Sequence, residues 1–417
     1  MFVPASNQKL VTTAAALKYL GPDYRYSTRL FTTGEIKGDT LYGDLYIKGY
    51  GDPKLVSEQM WLLVNELRDI PIHKVVGNII ADSSFFDSLL RVKTWGRASG
   101  AQAYNAPLGA LSFNFNTVTV YVSPGKSAGD KPLVVVEPDT QYIKVKNQGQ
   151  TLAAKKRGRL ILNRLDRGDY DEISITGGIS KNSKRARYYV NITDPTRYTL
   201  SVFKNYLVRA GIQVVGDTLE QGVVPKGAKL LVNHESEPLA LALRGLNKFS
   251  NNLVAEQIIK TLGAEKFGSP GTTEKGLKII SKYMRSLGFS QDQYRIVDGS
   301  GLSRQNRLTA NQIVSVLEHV HGDLSIYPEF ISALGVMGLD GNVRKRMNAV
   351  ADSQKARVKT GTLNSVSALS GYFQSRDGEL FAFSILMNGL KCQNGKALDI
   401  QDKIVRKGLT FVRGKVE

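Results

Sequence analysis

The stretch "FVPASNQKLVTTAAALKYLG", Phe2 to Gly21, sets a serine and a lysine three residues apart at the mouth of an alanine-rich helix. Ala14, Ala15, Ala16, Leu17 and Leu20 are strong helix formers, Pro4 stands just upstream, and Gly21-Pro22 stops the helix. Residues i and i+3 share a helix face, so the Ser6 hydroxyl comes within reach of the Lys9 amine near the positive end of the helix dipole. A developing alkoxide is favoured there, which is the geometry of a serine activated by a lysine base. The same residues also read as a serine cap followed by a solvated lysine, because S-x-x-K occurs in many unrelated helices. The rest of the chain decides between the two.

A chain of 417 residues is too long for one compact core, which predicts about two or three domains. Its 42% hydrophobic and 8% aromatic residues are ordinary for a folded soluble protein, and no stretch approaches the length of a membrane span. No leader precedes the Ser6 helix; an exported protein reads this way once its leader and some N-terminal structure are gone. The single cysteine, Cys392, permits no internal disulfide and suits no zinc site.

The 56 Lys and Arg against 37 Asp and Glu give a formal net charge of +19, which predicts attraction to polyanions. No helix-turn-helix spacing, RNP-type strand or zinc finger supports nucleic acid as the partner. An anionic polymer or membrane surface outside the cytoplasm fits the charge. The densest basic runs, "AAKKRGRL" and "SKNSKRAR", also read as solvated loops.

After the first helix come short strands. "DTLYGDLYIKG" and "TVTVYVSPG" alternate apolar and polar residues, and "PLVVVEP", "YIKVKN" and "RLILN" follow. Helical periodicity interrupts at "EQMWLLVNELRD" and at "DPTRYTLSVFKNYLVRAG", where Asp194-Pro195 opens a helix that Gly211 closes. From "SEPLALALRGLNKFSNNLVAEQIIKTLG" the chain is mainly helical to about Leu334, and it finishes with the strands "ALSGYFQS" and "LFAFSILMN" and a basic helix. A β-rich insertion of roughly 200 residues inside an α/β domain explains that order.

Two further motifs complete a lysine-activated serine site, in the expected order. "FSNNL" holds Ser250 and Asn252 as S-x-N, and "RVKTGTL" holds Lys359, Thr360 and Gly361 as K-T-G. The ordered trio is far more specific than any member and matches the serine acyl-enzyme set of penicillin-binding proteins and β-lactamases. With "LYGDLYIKGYGDPKL", "DPTRY", "KFSNNLVAEQ", "DGSGLSRQNRLT", "GLDGNVRKRM" and "KTGTLNSVSALSGY", the chain resembles the peptidase S13 family, the low-molecular-mass class C penicillin-binding D-Ala-D-Ala carboxypeptidases. The resemblance runs from Pro4 to Tyr372 and includes the long insertion between Lys9 and Ser250.

It implies an α/β (α+β) serine β-lactamase/DD-peptidase (transpeptidase-like) domain with a large β-rich insertion between the first and second catalytic motifs. The expected boundaries are 1–30 and 233–417 for the catalytic domain, 31–55 and 151–232 for the inserted β-rich domain, and 56–150 for a nested smaller one.

Cleaving an amide needs a nucleophile, a base, a proton donor for the leaving amine, and oxyanion donors. Ser6 supplies the nucleophile. Lys9 serves as base only when neutral, so partial burial and a second cation, Lys359, should depress its pKa while Lys359 stays charged. The resemblance places Ser250 between the two lysines as a proton relay, and has Asn252 hold Lys9 and donate to the substrate's side-chain amide. Lys359 and Thr360 would bind the terminal carboxylate, and Gly361 would leave the strand edge bare for the peptide. The backbone N–H groups of Ser6 and Thr362 are the expected oxyanion donors.

Arg304 reads either as a contact to the stem peptide's carboxylate or as a structural ion pair. Asn114, in "APLGALSFNFN", stands where relatives carry an acidic residue, which weakens recognition of a free side-chain amine. No metal or other cofactor is implied; the pair His319 and His321 reads as a surface helix end. The expected partners are peptidoglycan stem peptides, cross-linked muropeptides and β-lactams, in a periplasmic or extracytoplasmic setting. A β-lactamase-like hydrolase would need a deacylating base, and no E-x-x-L-N segment offers one. A non-catalytic cell-wall binding module would have no reason to keep every reactive residue.

Overall fold

Helix α1 (Gln8–Tyr19) follows a single 3-10 turn, Ala5–Asn7, in the computed structural model, which describes residues 1–96, 100–216, 219–391 and 393–414. Cys392 lies outside the described residues. Next come β1 (Ser27–Thr32), β2 (Glu35–Lys37), β3 (Thr40–Tyr42), β4 (Leu45–Gly49), α2 (Ser57–Arg68), β5 (Lys74–Val75) and β6 (Ile79–Asp82). Strands β7 (Thr117–Ser123), β8 (Leu133–Glu137), β9 (Ile143–Asn147), β10 (Gln150–Leu152), β11 (Leu160–Asp166), β12 (Asp171–Ser180) and β13 (Ala186–Asn191) lead to α3 (Pro195–Arg209). Then follow β14 (Gln213–Val214), β15 (Leu219–Gln221) and β16 (Lys229–Glu235), and the helices α4 (Leu239–Phe249), α5 (Asn252–Phe267) and α6 (Thr273–Ser286). The chain finishes with α7 (Ala310–His321), α8 (Tyr327–Ala333), β17 (Gly335–Val336), β18 (Ala356–Leu363), β19 (Val366–Gln374), β20 (Leu380–Asn388) and α9 (Asn394–Thr410).

These elements form two compact units: Met1–Arg25, Val92–Gly96 and Glu237–Glu417 in one, Tyr26–Arg91 and Arg97–Ser236 in the other. In the first, β17-β18-β19-β20 is an antiparallel sheet with α7 and α9 packed on it. Helix α1 is buried from Gln8 to Leu17, enclosed by α4, α5, α6, α7 and α8. Its alanine content follows from that position, since small side chains let several helices approach one axis.

The second unit is a single core of β-sheets and two helices. Leu30, Ile47, Leu63, Phe113, Val120, Ile173, Tyr198 and Phe203 lie in it, all fully buried. Strand β7 buries Val118, Val120 and Val122 and turns the intervening residues outward, as its alternation requires. Helix α3 opens as its sequence predicts, with the Asp194 carboxylate accepting from the Thr196 and Arg197 N–H groups and Pro195 at the first position.

Two domain expectations need correction. The nested domain at 56–150 is not a separate unit, because β5 and β6, which lie within it, pair with β3, β4, β14 and β15 outside it. The chain also passes between units at Arg25/Tyr26 and Ser236/Glu237 rather than at 30/31 and 232/233, and Val92–Gly96 belongs with the N- and C-terminal segments. Among the described residues no helix is long and apolar enough to cross a membrane.

Candidate active site

The turn that carries Ser6 is pinned on both sides. Asn388 grips Val3, accepting from its N–H at 2.9 Å and donating to its carbonyl at 3.1 Å, and Asn7 Nδ2 donates to Ser370 Oγ at 2.5 Å. Ala5, fully buried, sits at φ +47°, a left-handed conformation that costs an alanine roughly 1–2 kcal/mol. Gly301 lies against it so closely that a Cβ there would stand 1.8 Å from the Ala5 carbonyl oxygen. Strain beside a half-buried serine is a mark of a functional turn.

Lys9 is fully buried, and its Nζ lies 3.0 Å from Ser6 Oγ, 2.8 Å from Asn252 Oδ1 and 2.6 Å from the Ser300 carbonyl oxygen. A charged ammonium has three N–H groups for those three acceptors. A neutral amine gives its two N–H groups to Asn252 and Ser300 and leaves its lone pair for the Ser6 proton. Burial lowers the Lys9 pKa to about 7, against the opposing pull of Asp298 and Glu256. The neutral form is therefore well populated at neutral pH.

S-x-N is a corner between helices. Ser250 caps the end of α4 in a left-handed conformation at φ +60°, Asn251 caps the start of α5 by accepting from the Val254 N–H at 3.2 Å, and Asn252 is the first residue of α5. The corner sends the Asn252 carboxamide to Lys9 and the Ser250 hydroxyl to Lys359, 3.0 Å from its Nζ. Ser250 is bonded to Lys359 and not to Lys9, so the expected bridge between the two lysines is made on one side only.

Lys359, also fully buried, donates to the Thr360 carbonyl at 2.6 Å besides Ser250, and among the described residues no carboxylate pairs with it. Burial, and then the charge on Lys9, hold it well below the ordinary lysine range. The expectation that Lys359 pushes Lys9 down is corrected: burial does the lowering at Lys9.

Strand β18 carries K-T-G. Strand β17 pairs only with Arg357 and Val358, and among the described residues no strand covers that edge at Lys359, Thr360, Gly361 or Thr362. An open strand edge is a template for an extended peptide. Gly361 is bare for a reason nearer at hand than substrate: a Cβ there would stand 2.9 Å from Pro4 O, 3.0 Å from Ser6 N and 3.1 Å from Asn7 N. Half-buried Thr360 and exposed Thr362 alternate with buried Lys359 and Gly361 along the strand.

Arg304 is exposed, and its guanidinium donates to the Asn364 carbonyl in the turn between β18 and β19, so it stands at the exit of K-T-G rather than in a carboxylate ion pair. Asn114 belongs to the other unit. Its Oδ1 accepts from the Ser57 N–H at 3.1 Å and its Nδ2 donates to Ser57 Oγ at 3.0 Å, so the carboxamide caps α2 and serves the fold. His319 and His321 end α7, exposed, with their rings edge-on to Tyr283 and Tyr327.

Glu256 and Asp298, both fully buried, escaped the sequence reading. Glu256 stands one turn after Asn252 on α5, and Asp298 opens "DGSG". Two carboxylates beside a glycine-rich loop and an S-x-N helix were the available signal.

A strained, half-buried serine beside a buried low-pKa lysine, with an open strand edge alongside, defines a serine hydrolase that works through an acyl-enzyme. The model of the D-Ala-D-Ala carboxypeptidase 3 (S13) family matches residues 1–408, and the chain belongs to that family. It is a serine peptidase of the D-Ala-D-Ala carboxypeptidase type. Among its relatives is a D-alanyl-D-alanine carboxypeptidase of an Actinomadura species, 32% identical over 96% of this chain and 76% of that one. The crystal structure of penicillin binding protein 4 from Haemophilus influenzae superposes with a TM-score of 0.83 at 22% identity, covering 98% of this chain and 91% of the other. A penicillin G acylated predatory endopeptidase from Bdellovibrio bacteriovorus shares the fold at a TM-score of 0.52 and 17% identity, over 97% and 84% of the two chains. The fold is therefore that of serine DD-peptidases and β-lactamases.

Proposed function

We propose that Ser6 is the nucleophile and Lys9 the base of a peptidase that cuts the peptide bond after a D-alanine in peptidoglycan stem peptides and cross-links. The carrying observation is the Lys9 amine, buried, lowered to about 7 and 3.0 Å from Ser6 Oγ. Ser6 Oγ gives its proton to Lys9 Nζ as the C–O bond forms. The backbone N–H groups of Ser6 and Thr362 receive the oxyanion. Ser250 protonates the leaving nitrogen as the C–N bond breaks, and its proton is replaced from Lys359, the lysine it is bonded to. Water then releases the acyl group by the same steps in reverse order.

The terminal carboxylate of the substrate is the anion that Lys359 lacks, with Thr360 as its hydroxyl donor. Asn252, bound through Oδ1 to Lys9, would donate to the substrate's amide, and Arg304 stands by the exit of the same strand for a stem-peptide carboxylate. A free D-alanine leaving group makes the activity carboxypeptidase; a neighbouring stem's amine makes it endopeptidase. β-Lactams acylate Ser6 for the same reason as the peptide does.

Such an activity belongs outside the cytoplasm, where a charge of +19 would draw the enzyme to anionic wall polymers or membrane surfaces. Fluorescent penicillin labelling and hydrolysis of a D-Ala-D-Ala pentapeptide test the assignment. Ser6→Ala should abolish both and leave the melting temperature within a few degrees of the parent, since a serine at a helix start contributes about 1 kcal/mol. A stable penicillin adduct on that variant would refute it.

A further inference from the structure

The loop from Asp298 to Gly301 is clamped between α5 and α1 by two consecutive peptide groups. In one, the Ser300 N–H donates to Glu256 Oε1 at 2.8 Å while the Gly299 carbonyl accepts from Thr12 Oγ1 at 2.7 Å. In the next, the Gly301 N–H donates to Asp298 Oδ1 at 2.7 Å while the Ser300 carbonyl accepts from Lys9 Nζ at 2.6 Å. Each peptide has a carboxylate at its N–H end and an α1 side chain at its carbonyl end, so each is polarised along the same direction. Gly299 seats the loop flush on α5, for a Cβ there would lie 2.4 Å from Ile259 Cγ1 and 3.0 Å from Ala255 O. Helix α5 thus reaches Lys9 directly through Asn252 and, one turn on, holds through Glu256 the N–H of Ser300, the residue whose carbonyl receives the Lys9 amine.

The two carboxyls differ in what they receive. Asp298 accepts from the Gly301 and Ser303 N–H groups, Asn306 Nδ2 and Trp95 Nε1, so both oxygens are engaged as acceptors, and these bonds oppose the burial that raises its pKa. Glu256 accepts from the Gly299 and Ser300 N–H groups and is bonded to the Ser300 hydroxyl. Burial, reinforced by the Asp298 charge, pushes it up to about 8, so it holds a proton at neutral pH. Around it stand Asp298 in the loop, Lys9 on α1 with Lys359 of β18 beyond, and Lys260, buried one turn further along α5.

We propose that Glu256 is a positioning residue for Lys9: it holds the N–H of Ser300, the residue whose carbonyl receives the Lys9 amine, and so fixes where that amine stands. The proposal rests on Lys9 being the base for Ser6. Glu256→Gln keeps Oε1 for both N–H groups and removes the charge; Glu256→Ala removes both. Acylation by a chromogenic cephalosporin is followed from about pH 5 to pH 10, a span that covers the glutamate and lysine transitions.

For Glu256→Gln the plateau rate should stay within about threefold of the parent and the rising limb near pH 7 should not move, because Glu256 is already uncharged where Lys9 titrates and the amide keeps its acceptor. For Glu256→Ala, kcat on a D-Ala-D-Ala peptide should fall ~10-fold or more at unchanged KM, the signature of a displaced reacting group. A lost plateau or a displaced limb in the glutamine variant, or parental kcat in the alanine variant, overturns the proposal. Should the variants fail to fold, carboxyl-carbon NMR titration of glutamate-labelled parent protein decides, since it must reveal one glutamate with a midpoint far above the rest. Lys9→Ala is run alongside: if it acylates like the parent, the base assignment has failed, whereas a dead Lys9→Ala beside parental kcat in Glu256→Ala condemns the clamp alone.

Discussion

Gly361→Ala inserts one methyl group where the strand meets the nucleophile's turn. The backbone φ at Gly361 is not left-handed, so alanine meets no conformational penalty and the whole effect is contact. The new carbon would stand 2.9 Å from Pro4 O, 3.0 Å from Ser6 N and 3.1 Å from Asn7 N, against an ordinary separation beyond 3.4 Å. The gap must open by a few tenths of an ångström, and all three atoms are backbone, tied by Asn388 to Val3 and by Asn7 to Ser370. Overpacking of this kind costs about 1–3 kcal/mol, which lowers the melting temperature by roughly 2–4 °C per kcal/mol in a unit of this size. The kinetic loss is larger, because the methyl lies on the Ser6 N–H proposed to receive the oxyanion; losing one such donor costs ~10²–10³-fold in rate. A partial displacement should cost ~10–100-fold in acylation by a chromogenic cephalosporin, at a pH dependence that does not move. Acylation within twofold of the parent would show that the turn yields freely, and the account of Gly361 would fall.

Lys9→Arg should be nearly as inactive as Ser6→Ala, since guanidinium stays protonated at any workable pH; near-normal peptide turnover would remove Lys9 from the base role. In the parent, acylation should rise with pH through about 7 and then level, because the lowered Lys9 pKa makes the amine neutral above that point; a flat profile from about pH 5 to 9 would contradict it. Neutralising the exposed Lys155, Lys156, Arg157, Lys184 and Arg185 should reduce co-sedimentation with purified sacculi at low salt and leave hydrolysis of a soluble peptide unchanged, with parental pelleting at every salt concentration as the refuting result. Deleting residues 56–150 removes β5 and β6 from two sheets, so circular dichroism should report an unfolded insert rather than a trimmed one.

Ser6, Lys9, Ser250, Asn252 and Lys359 were legible because each sits where a local rule places it, at a helix start, a helix corner or a strand, and because their order along the chain is itself a signal. The tertiary origin of a pKa was not legible. That Lys9 is lowered by burial, and that Lys359 has no carboxylate beside it, follow from which side chains the fold gathers around them. Glu256 and Asp298 act through peptide groups, and a peptide group leaves no trace in a residue pattern. Asn114 misled for a related reason: its position in "SFNFN" says nothing of Ser57, the residue that takes up its carboxamide. The single insert emerged only from the pairing of two-residue and four-residue strands such as β5 and β6, too short for alternation to mark.

The partners of the Lys9 amine at Asn252 and Ser300 are 243 and 291 residues further along the chain. Until those loops close, Lys9 is an ordinary solvated lysine with a pKa of about 10.4, and Ser6 an ordinary serine. The proposed nucleophile is therefore made well before the partners of its base and becomes reactive only after them. A growing chain carries its serine unarmed, blind to β-lactam and to substrate alike, and acquires reactivity in the same cooperative event that completes the fold. Acylation by a β-lactam thus doubles as a probe of that closure, and its onset during refolding should trail the formation of helical signal, as long-range contacts form late.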